Sequence, residues 1–298
     1  MYLVDFIYDG YKLSDFGCMV GAYTSSNSDS IEMGSVIELE TAVNNGSYIS
    51  EIVNAKYPNP YTVTFDIIKK PCGIVTGDRF KDNEVSWFMR WLNRKEYHKF
   101  VPIYDNSRDY YKLYLMGTFT ECKAINIQGQ VFGFSLTFTS NSPFSYLDYD
   151  PMTFNVTSKT HPIKLVDPYT NLYRDSIQMG YFEVYDESEE VGSIYPTSFV
   201  IKIKEDSEND PLIIYNNKDK SNRFTEIRKC INNEIITLDC IHKVIDTNMP
   251  HKTLYNDFNY VFPRLYNDFN TQKNIIYVSK LCEITIEYKP IRKVGVIA

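Results

Sequence analysis

The stretch Gly133-Phe-Ser-Leu-Thr-Phe-Thr-Ser-Asn-Ser-Pro143 decides the class of fold that this chain adopts. Large apolar residues occupy every second position in it and just before it: Phe132, Phe134, Leu136 and Phe138. Small residues fill the positions between them, and this period of two predicts a strand with one buried face. The run ends at Asn-Ser-Pro143, where turn-forming residues predict the end of the strand.

The same alternation recurs along the chain, which indicates a mainly β protein. Five further segments show it: 4–8, 61–67, 199–203, 236–240 and 282–288. The chain has 25 Tyr and 18 Phe but only 13 Gly and 13 Pro, and aromatic side chains favour the half-buried surface of a sheet. Asp9-Gly10 follows the first segment and predicts a tight hairpin turn.

One segment departs from this pattern and predicts an α-helix that begins at Asp82 or Asn83 as its N-cap. At 100° per residue, an apolar stripe forms on one face: Val85, Phe88, Met89 and Leu92. Trp87 and Trp91 widen one edge of this stripe. The opposite face is polar: Ser86, Arg90, Asn93 and Arg94.

Two interpretations of this helix remain open. In the first, the helix covers one side of a β-structure and its tryptophans belong to the core. In the second, one tryptophan lies at a subunit contact, because Trp and Arg are enriched at such contacts. The candidate interface residues on the helix are Trp87, Arg90, Trp91 and Arg94.

The length of 298 residues fits two domains of ordinary size. Turn residues gather between positions 141 and 159, so we place the boundary there, with an N-terminal domain over 1–148 and a C-terminal domain over 149–298. The first is predicted to be a β-sandwich-like domain with one α-helix. The second contains about eight short strands separated by polar turns, the pattern of a β-sandwich.

Charge and apolar patterning exclude some classes of protein. A net charge of −7 argues against a nucleic-acid binder that grips phosphates, although it fits a surface that DNA slides past. The N-terminus has no signal-peptide pattern, and no apolar run approaches the ~18 residues of a membrane span. We therefore expect folding in a cytoplasm without membrane insertion. The six cysteines have no C-x-x-C spacing, so we expect reduced structural thiols.

The sequence offers no motif for chemistry, and we predict no catalytic, cofactor-binding or metal-ligating residues. The four histidines lack metal-ligand spacing, and nucleotide-binding and nucleophile motifs are missing. Two acidic runs, 186–190 and 205–210, are better interpreted as solvated loop tips than as calcium loops. Several tyrosines could instead mark a sugar-binding face: Tyr169, Tyr173, Tyr181, Tyr185, Tyr255, Tyr260 and Tyr266.

A hexapeptide occurs twice, as Leu254-Tyr-Asn-Asp-Phe-Asn259 and as Leu265-Tyr-Asn-Asp-Phe-Asn270. Two copies of six residues do not make a solenoid. Chance or local duplication explains them, and the alternative is a hairpin whose two turns use similar Asn-Asp chemistry.

The order of these elements resembles the siphophage distal tail (Dit) proteins. Phe6-Ile-Tyr-Asp-Gly10 and Ser14-Asp-Phe-Gly-Cys18 are similar to that family's opening strand, turn and strand. Trp91-Leu-Asn-Arg94 resembles the end of its helix, and 133–143 resembles a strand that closes its first domain. Phe262-Pro-Arg-Leu265 resembles a stretch near the family's end.

This resemblance implies a structural virion component and no enzyme. The N-terminal domain would be a belt that joins five others into a hexameric ring around a channel for DNA, and the C-terminal domain would be a galectin-like β-sandwich. The ring would lie at the virion tail tip, between the tail tube protein and the tail-tip hub protein, after assembly in the host cytoplasm. Receptor-binding or baseplate proteins would bind the outer domain. The resemblance implies no cofactor.

Three alternatives to this function remain open. A carbohydrate-binding protein that recognises the host surface would use the tyrosines of the second half. A hydrolase could assemble its site from residues distant in sequence, because such sites are geometric. A tail tube protein would be smaller than this chain.

Overall fold

The computed structural model describes residues 3–21, 36–43, 50–70, 79–105, 113–166, 175–206, 210–219, 223–249 and 254–293, except the side chains at 254 and 255. Contacts divide the chain into two compact units: Met1–Asp148 with Ile291–Ala298, and Tyr149–Pro290. The last eight residues therefore group with the first unit, whereas the sequence prediction counted them in the second.

The first unit is built on a nine-stranded sheet with a main path β2-β1-β7-β8-β9-β6-β3, and β10 and β23 pair at its side. Its strands are β1 (Leu3–Tyr8), β2 (Tyr11–Lys12), β3 (Cys18–Val20), β6 (Thr62–Lys69), β7 (His98–Tyr104), β8 (Leu113–Ile127), β9 (Gln130–Ser140), β10 (Ser145–Leu147) and β23 (Ile291–Arg292). A 3₁₀ turn, Leu13–Phe16, follows β2. Two further strands, β4 (Glu38–Val43) and β5 (Ser50–Lys56), pair only with each other among the described residues.

The alternation that predicted these strands is confirmed except at Phe132, which is half-buried, and at Val4. In β9, Phe134, Leu136 and Phe138 are buried. In β1, the predicted face included Val4, but Val4 is exposed. The register shifts between Leu3 and Asp5 in the pairing of β1 with β7, and such an irregularity re-aims the side chain at its centre.

The α-helix, α1 (Asp82–Leu92), begins one residue earlier than predicted, with Lys81 as the N-cap. The Glu84 carboxylate accepts the backbone N–H of Lys81 at 2.7 Å. It also pairs with the ammonium of Lys69 at 2.8 Å. An acceptor from inside the helix thus satisfies a terminal N–H, which leaves no role for Asp82 or Asn83 as the cap.

The core of the first unit is dominated by aromatic rings. Phe6 lies at its centre and packs on four of them: Phe65, Trp91, Phe100 and Phe119. Offset and edge-to-face ring pairs add stability beyond the area that they bury. The helix therefore completes this core rather than standing apart from it.

The second unit is a sandwich of two five-stranded sheets, with orders β11-β22-β15-β18-β19 and β12-β13-β21-β16-β17. Its strands are β11 (Met152–Val156), β12 (His161–Ile163), β13 (Ile177–Tyr185), β14 (Gly192–Ile194), β15 (Ser198–Ile203), β16 (Leu212–Asn216), β17 (Phe224–Ile227), β18 (Ile235–Asp239), β19 (Val244–Thr247), β20 (Leu265–Asn267), β21 (Lys273–Val278) and β22 (Cys282–Glu287). A short helix, α2 (Leu254–Asp257), precedes β20, which pairs with β14. The predicted mainly β class is confirmed.

Five cysteines are free thiols: Cys18, Cys122, Cys230, Cys240 and Cys282. Burial raises the pKa of Cys240 and of Cys282 to about 12, and that of Cys122 to about 11. A thiol with a raised pKa is a poor nucleophile. The prediction of structural thiols holds for these five, and Cys72 lies outside the described residues.

The two copies of the hexapeptide adopt different structures. The first copy starts α2, and the second starts β20. The hairpin interpretation is therefore wrong. Phe258 in the first copy is buried in the core, whereas Phe269 in the second is 92% exposed.

Candidate assembly surface

The two-stranded hairpin β4–β5, hereafter the hairpin arm, has no buried residue in the single chain. Its pairing register is antiparallel, from Glu38 opposite Lys56 to Val43 opposite Ser50, with an irregularity between Glu40 and Thr41. An isolated two-stranded hairpin is marginally stable in water. Both outer edges of the arm lack strand partners among the described residues, and such edges readily pair with another chain.

The hairpin arm has two chemically different faces, because directly opposed residues share a face and successive residues alternate. One face is mainly apolar: Leu39, Thr41, Val43, Ser50, Ile52 and Ala55. The other face is polar and acidic: Glu38, Glu40, Ala42, Glu51, Asn54 and Lys56. Leu39 is 53% and Ile52 62% exposed. A half-apolar ribbon of this kind indicates a surface that another chain covers.

Sequence reasoning missed this surface, although a signal for it is present. Leu39, Thr41 and Val43 alternate with the acidic or small residues at 38, 40 and 42 over six residues. What the sequence could not show is that every residue of both strands is exposed and that neither strand joins another sheet of the described chain.

The structure separates the two tryptophans of α1. Trp91 is only 5% exposed, and its Nε1–H donates to the backbone oxygen of Tyr8 at 3.1 Å. Trp87 is half-buried and packs on Phe16, with ring centroids 4.2 Å apart. Trp91 therefore belongs to the core, and Trp87 is the tryptophan that a neighbouring subunit could reach.

The two arginines of the helix segment differ as well. Arg90 is exposed. Arg94 pairs with Asp9 at 2.7 Å, and its Nε–H donates to the backbone oxygen of Trp91 at 2.8 Å. The other carboxylate oxygen of Asp9 lies 3.2 Å from Nδ1 of His98. The hydrogen bond from Arg94 is the largest cause of the lowered pKa of Asp9. Arg94 thus fixes the end of the helix to the β1–β2 turn.

The other residues considered for binding do not converge. Among the described residues, no group of three His, Cys, Asp or Glu side chains could hold a metal ion. The run 186–190 is not a solvated loop tip as predicted, because Asp186 and Ser188 are buried. Asp186 accepts hydrogen bonds from Ser188 N–H and from the hydroxyl of Tyr288. Of the run 205–210, residues 207–209 lie outside the described part.

The tyrosines proposed as a sugar face are scattered. Tyr181, Tyr185 and Tyr260 are exposed, and Tyr266 is half-buried. Tyr169, Tyr173 and the side chain of Tyr255 lie outside the described residues. No helix in the described part of the chain has the length and apolarity to cross a bilayer.

Comparison with known families gives two matches. The model for a phage tail protein N-terminal domain matches residues 1–142. The model for a phage tail C-terminal domain matches residues 170–288. A search of curated protein sequences finds no relative of this chain.

A solved structure shows the same fold. The crystal structure of SPP1 Dit (gp 19.1), a paradigm of the hub adsorption apparatus in phages that infect Gram-positive bacteria, matches with a TM-score of 0.59 and 13% identity over 96% of this chain and 99% of that one. Two structures of the phage p2 baseplate in its activated conformation, with Ca and with Sr, each match with a TM-score of 0.43 and 12% identity. They cover 99% and 98% of this chain and 100% and 99% of their own.

Proposed function

The chain belongs to the phage tail proteins that combine these two domains, and we propose that it is the hub at the distal end of a siphophage tail. In this proposal six copies form a closed ring that joins the tail tube protein to the tail-tip hub protein. The likeness of its fold to a distal tail protein of a hub adsorption apparatus supports this role. The role is structural and needs no catalytic residue.

The hairpin arm is the observation that carries the proposal. A closed ring repeats one head-to-tail contact, so every arm meets the same surface of the next copy. The apolar face of the arm packs against that neighbour, and its open edges pair with the neighbour's strands. These two contacts would remove from solvent the apolar face and the unpaired strand edges that a single chain exposes.

The acidic face of the arm then lines the channel. Glu38, Glu40 and Glu51 lie on this face, and repetition in six copies makes a negative lumen. A negative lumen repels the phosphate backbone, so DNA passes through without sequence-specific binding. The net charge of −7 agrees with a surface that does not hold DNA.

The second unit faces outward in this proposal and binds receptor-binding or baseplate proteins. The protein is assembled in the host cytoplasm and located at the virion tail tip. Residues of α1 reach the subunit contact through Trp87 and Arg90, whereas Trp91 and Arg94 hold the helix in place.

Light scattering at several concentrations tests the ring. Six copies of the 34.8 kDa chain have a mass of about 209 kDa. A species near that mass supports the proposal, and its fraction should rise with concentration because the contact is intermolecular. A chain that stays monomeric at every concentration, with and without the tail tube protein, contradicts it.

A second candidate function is carbohydrate binding at the second unit, and one observation favours it. Three tyrosines face one another across β13, β21 and β16: Tyr181, Tyr277 and Tyr215. The ring of His161 extends this row at 4.8 Å from Tyr181. Screening residues 149–290 on a glycan array tests it, with Tyr181→Ala as the matched variant. If no glycan on the array binds, the second function is contradicted and the structural role remains the proposal.

A further inference from the structure

Loops at one end of the second unit bring three cations around one tyrosine. Tyr195 follows β14, and Arg223 immediately precedes β17. Lys243 lies in the turn between β18 and β19, where its φ is +60°. Arg264 immediately precedes β20. We call these four residues the cationic cluster. Loops at the ends of a sandwich are common places for binding sites.

The contacts within the cationic cluster are specific. Arg223 Nη1 donates to the Tyr195 hydroxyl at 3.3 Å. The ammonium of Lys243 lies over the Tyr195 ring and 5.2 Å from the centre of the Phe262 ring. Arg264 holds Asp219 through Nε and Nη2, at 2.6 and 2.7 Å. These contacts keep the cations close together although their charges repel.

Positive charge is in excess here. The only carboxylate that contacts the cluster among the described residues is Asp219, and Arg264 engages both of its oxygens. Neither Arg223 nor Lys243 forms an ion pair within the described part of the chain, although the whole protein carries a net charge of −7. Three cations against one carboxylate leave two positive charges that the described residues do not balance.

The electrostatics agree with this excess. Burial lowers the pKa of Lys243, and the nearby charge of Arg223 lowers it further. Burial opposes ionisation of Tyr195, yet Arg223 and the charges of Lys243 and Arg264 bring its pKa below the ordinary value. The lowered pKa of Tyr195 has the direction that a positive local potential gives, and an incoming anion would relieve that potential.

We propose that the cationic cluster binds a phosphate group. A phosphate monoester carries about −1.5 to −2 charges near pH 7, which matches the two unbalanced cations. The Arg223 guanidinium, the Lys243 ammonium and the Tyr195 hydroxyl supply donors of the kinds that phosphate accepts. The cavity beside Arg223 and Arg264 has a volume of about 10 Å³, which is room for about one water molecule, so the phosphate binds at the open surface of the cluster and not inside this cavity.

Calorimetric titration of the full chain at low ionic strength tests this site. The probes are inorganic phosphate, glycerol phosphate as a monoester, dimethyl phosphate as a diester and acetate as a carboxylate. We expect Arg223→Gln and Lys243→Gln each to raise the Kd for inorganic phosphate about tenfold, because each removes a charge-assisted contact. Lys202→Gln is the matched control, since Lys202 is an exposed lysine of the same unit on β15.

Each outcome decides the proposal. Binding of glycerol phosphate but not dimethyl phosphate supports a monoester as the source, and equal binding of both supports a phosphodiester. Acetate that binds as tightly as phosphate overturns the proposal in favour of a protein carboxylate. No heat from any phosphate probe overturns it, as does an equal loss in Lys202→Gln. The site does not depend on the proposed ring, because all its residues belong to one unit of one chain.

Discussion

At the scale of the residue, Trp91 is the side chain whose loss should cost the first unit most. Its ring packs on Phe6, Phe16 and Trp87, and its N–H satisfies a buried carbonyl. We expect Trp91→Ala to lower the free energy of unfolding by about 3–5 kcal/mol, through a cavity and an unpaired acceptor. Denaturant titration followed by circular dichroism measures it.

Arg90→Ala is the matched control from the same helix. Arg90 is exposed, so its truncation should change the free energy of unfolding by less than about 0.5 kcal/mol. Equal losses in the two variants would show that Trp91 does not belong to the core.

Asp9 gives a prediction with a pH dependence. Its carboxylate contacts the side chains of Arg94 and His98. The hydrogen bond from Arg94 is the largest cause of the lowered pKa of Asp9. Because the pKa of Asp9 is lower in the folded protein than the unfolded value of about 3.9, its ionised carboxylate stabilises the fold above that pH. This stabilisation is lost as the pH falls through the folded-state pKa. Asn tolerates the positive φ of 51° at this position.

We therefore compare Asp9→Asn with the unchanged protein by thermal unfolding between pH 2 and pH 7. The difference in stability should be constant above pH about 5 and should shrink below it. A difference that persists at the lowest pH would mean that the carboxylate charge contributes nothing.

Residues also show where sequence reasoning stops. Phe258 and Phe269 occupy the same place in two identical hexapeptides, but only the first is buried. Asn259 of the first copy accepts Glu226 N–H at 3.1 Å. The equivalent Asn of the second copy comes after a strand instead of a helix. Local propensity is identical, so packing against β17 or β14 decides the outcome.

At the scale of the element, alternation predicted the strands and the 3.6-residue period predicted α1. Each of these signals is local, and the burial of Phe199, Ile201 and Ile284 follows from it directly. The cap of α1 was missed because Lys81 is not a residue type that usually caps a helix, although its N–H is accepted locally by Glu84 three residues later. The ion pair of Glu84 with Lys69 of β6 joins residues distant in the chain, and spacing along the sequence does not reveal it.

The hairpin arm carries the prediction at this scale. Leu39→Glu or Ile52→Glu places a charge on the apolar face, where a neighbour would have to bury it at high cost. The single chain exposes both positions, so its own stability should change little. We expect light scattering to show loss of the assembled species while circular dichroism of the monomer is unchanged.

Glu40→Gln is the control on the opposite face of the arm. It should leave the assembled mass intact, because in the proposed ring that face meets solvent in the channel. Assembly lost equally in Glu40→Gln and Leu39→Glu would show that the face of the arm does not matter.

At the scale of the whole molecule, the sequence predicted two β-rich bodies but not how the chain end is used. The strand β23 pairs with β10, with Arg292 opposite Ser145, and the Ser145 hydroxyl donates to the Arg292 carbonyl at 3.2 Å. The chain thus leaves the second unit and returns to the first. Two-residue pairing leaves no periodic signal that a sequence could reveal.

Because β23 pairs within the first unit, removing it should destabilise the first unit and not the second. A chain that ends at Pro290 loses β23 and leaves the edge of β10 unpaired, whereas the second unit keeps both of its sheets. Scanning calorimetry should therefore show a lower melting temperature for the first unit and an unchanged one for the second. Residues 149–290 alone should melt at that same unchanged temperature, because their core lies within the unit. If truncation instead shifts the transition of the second unit, the last strand belongs energetically to that unit.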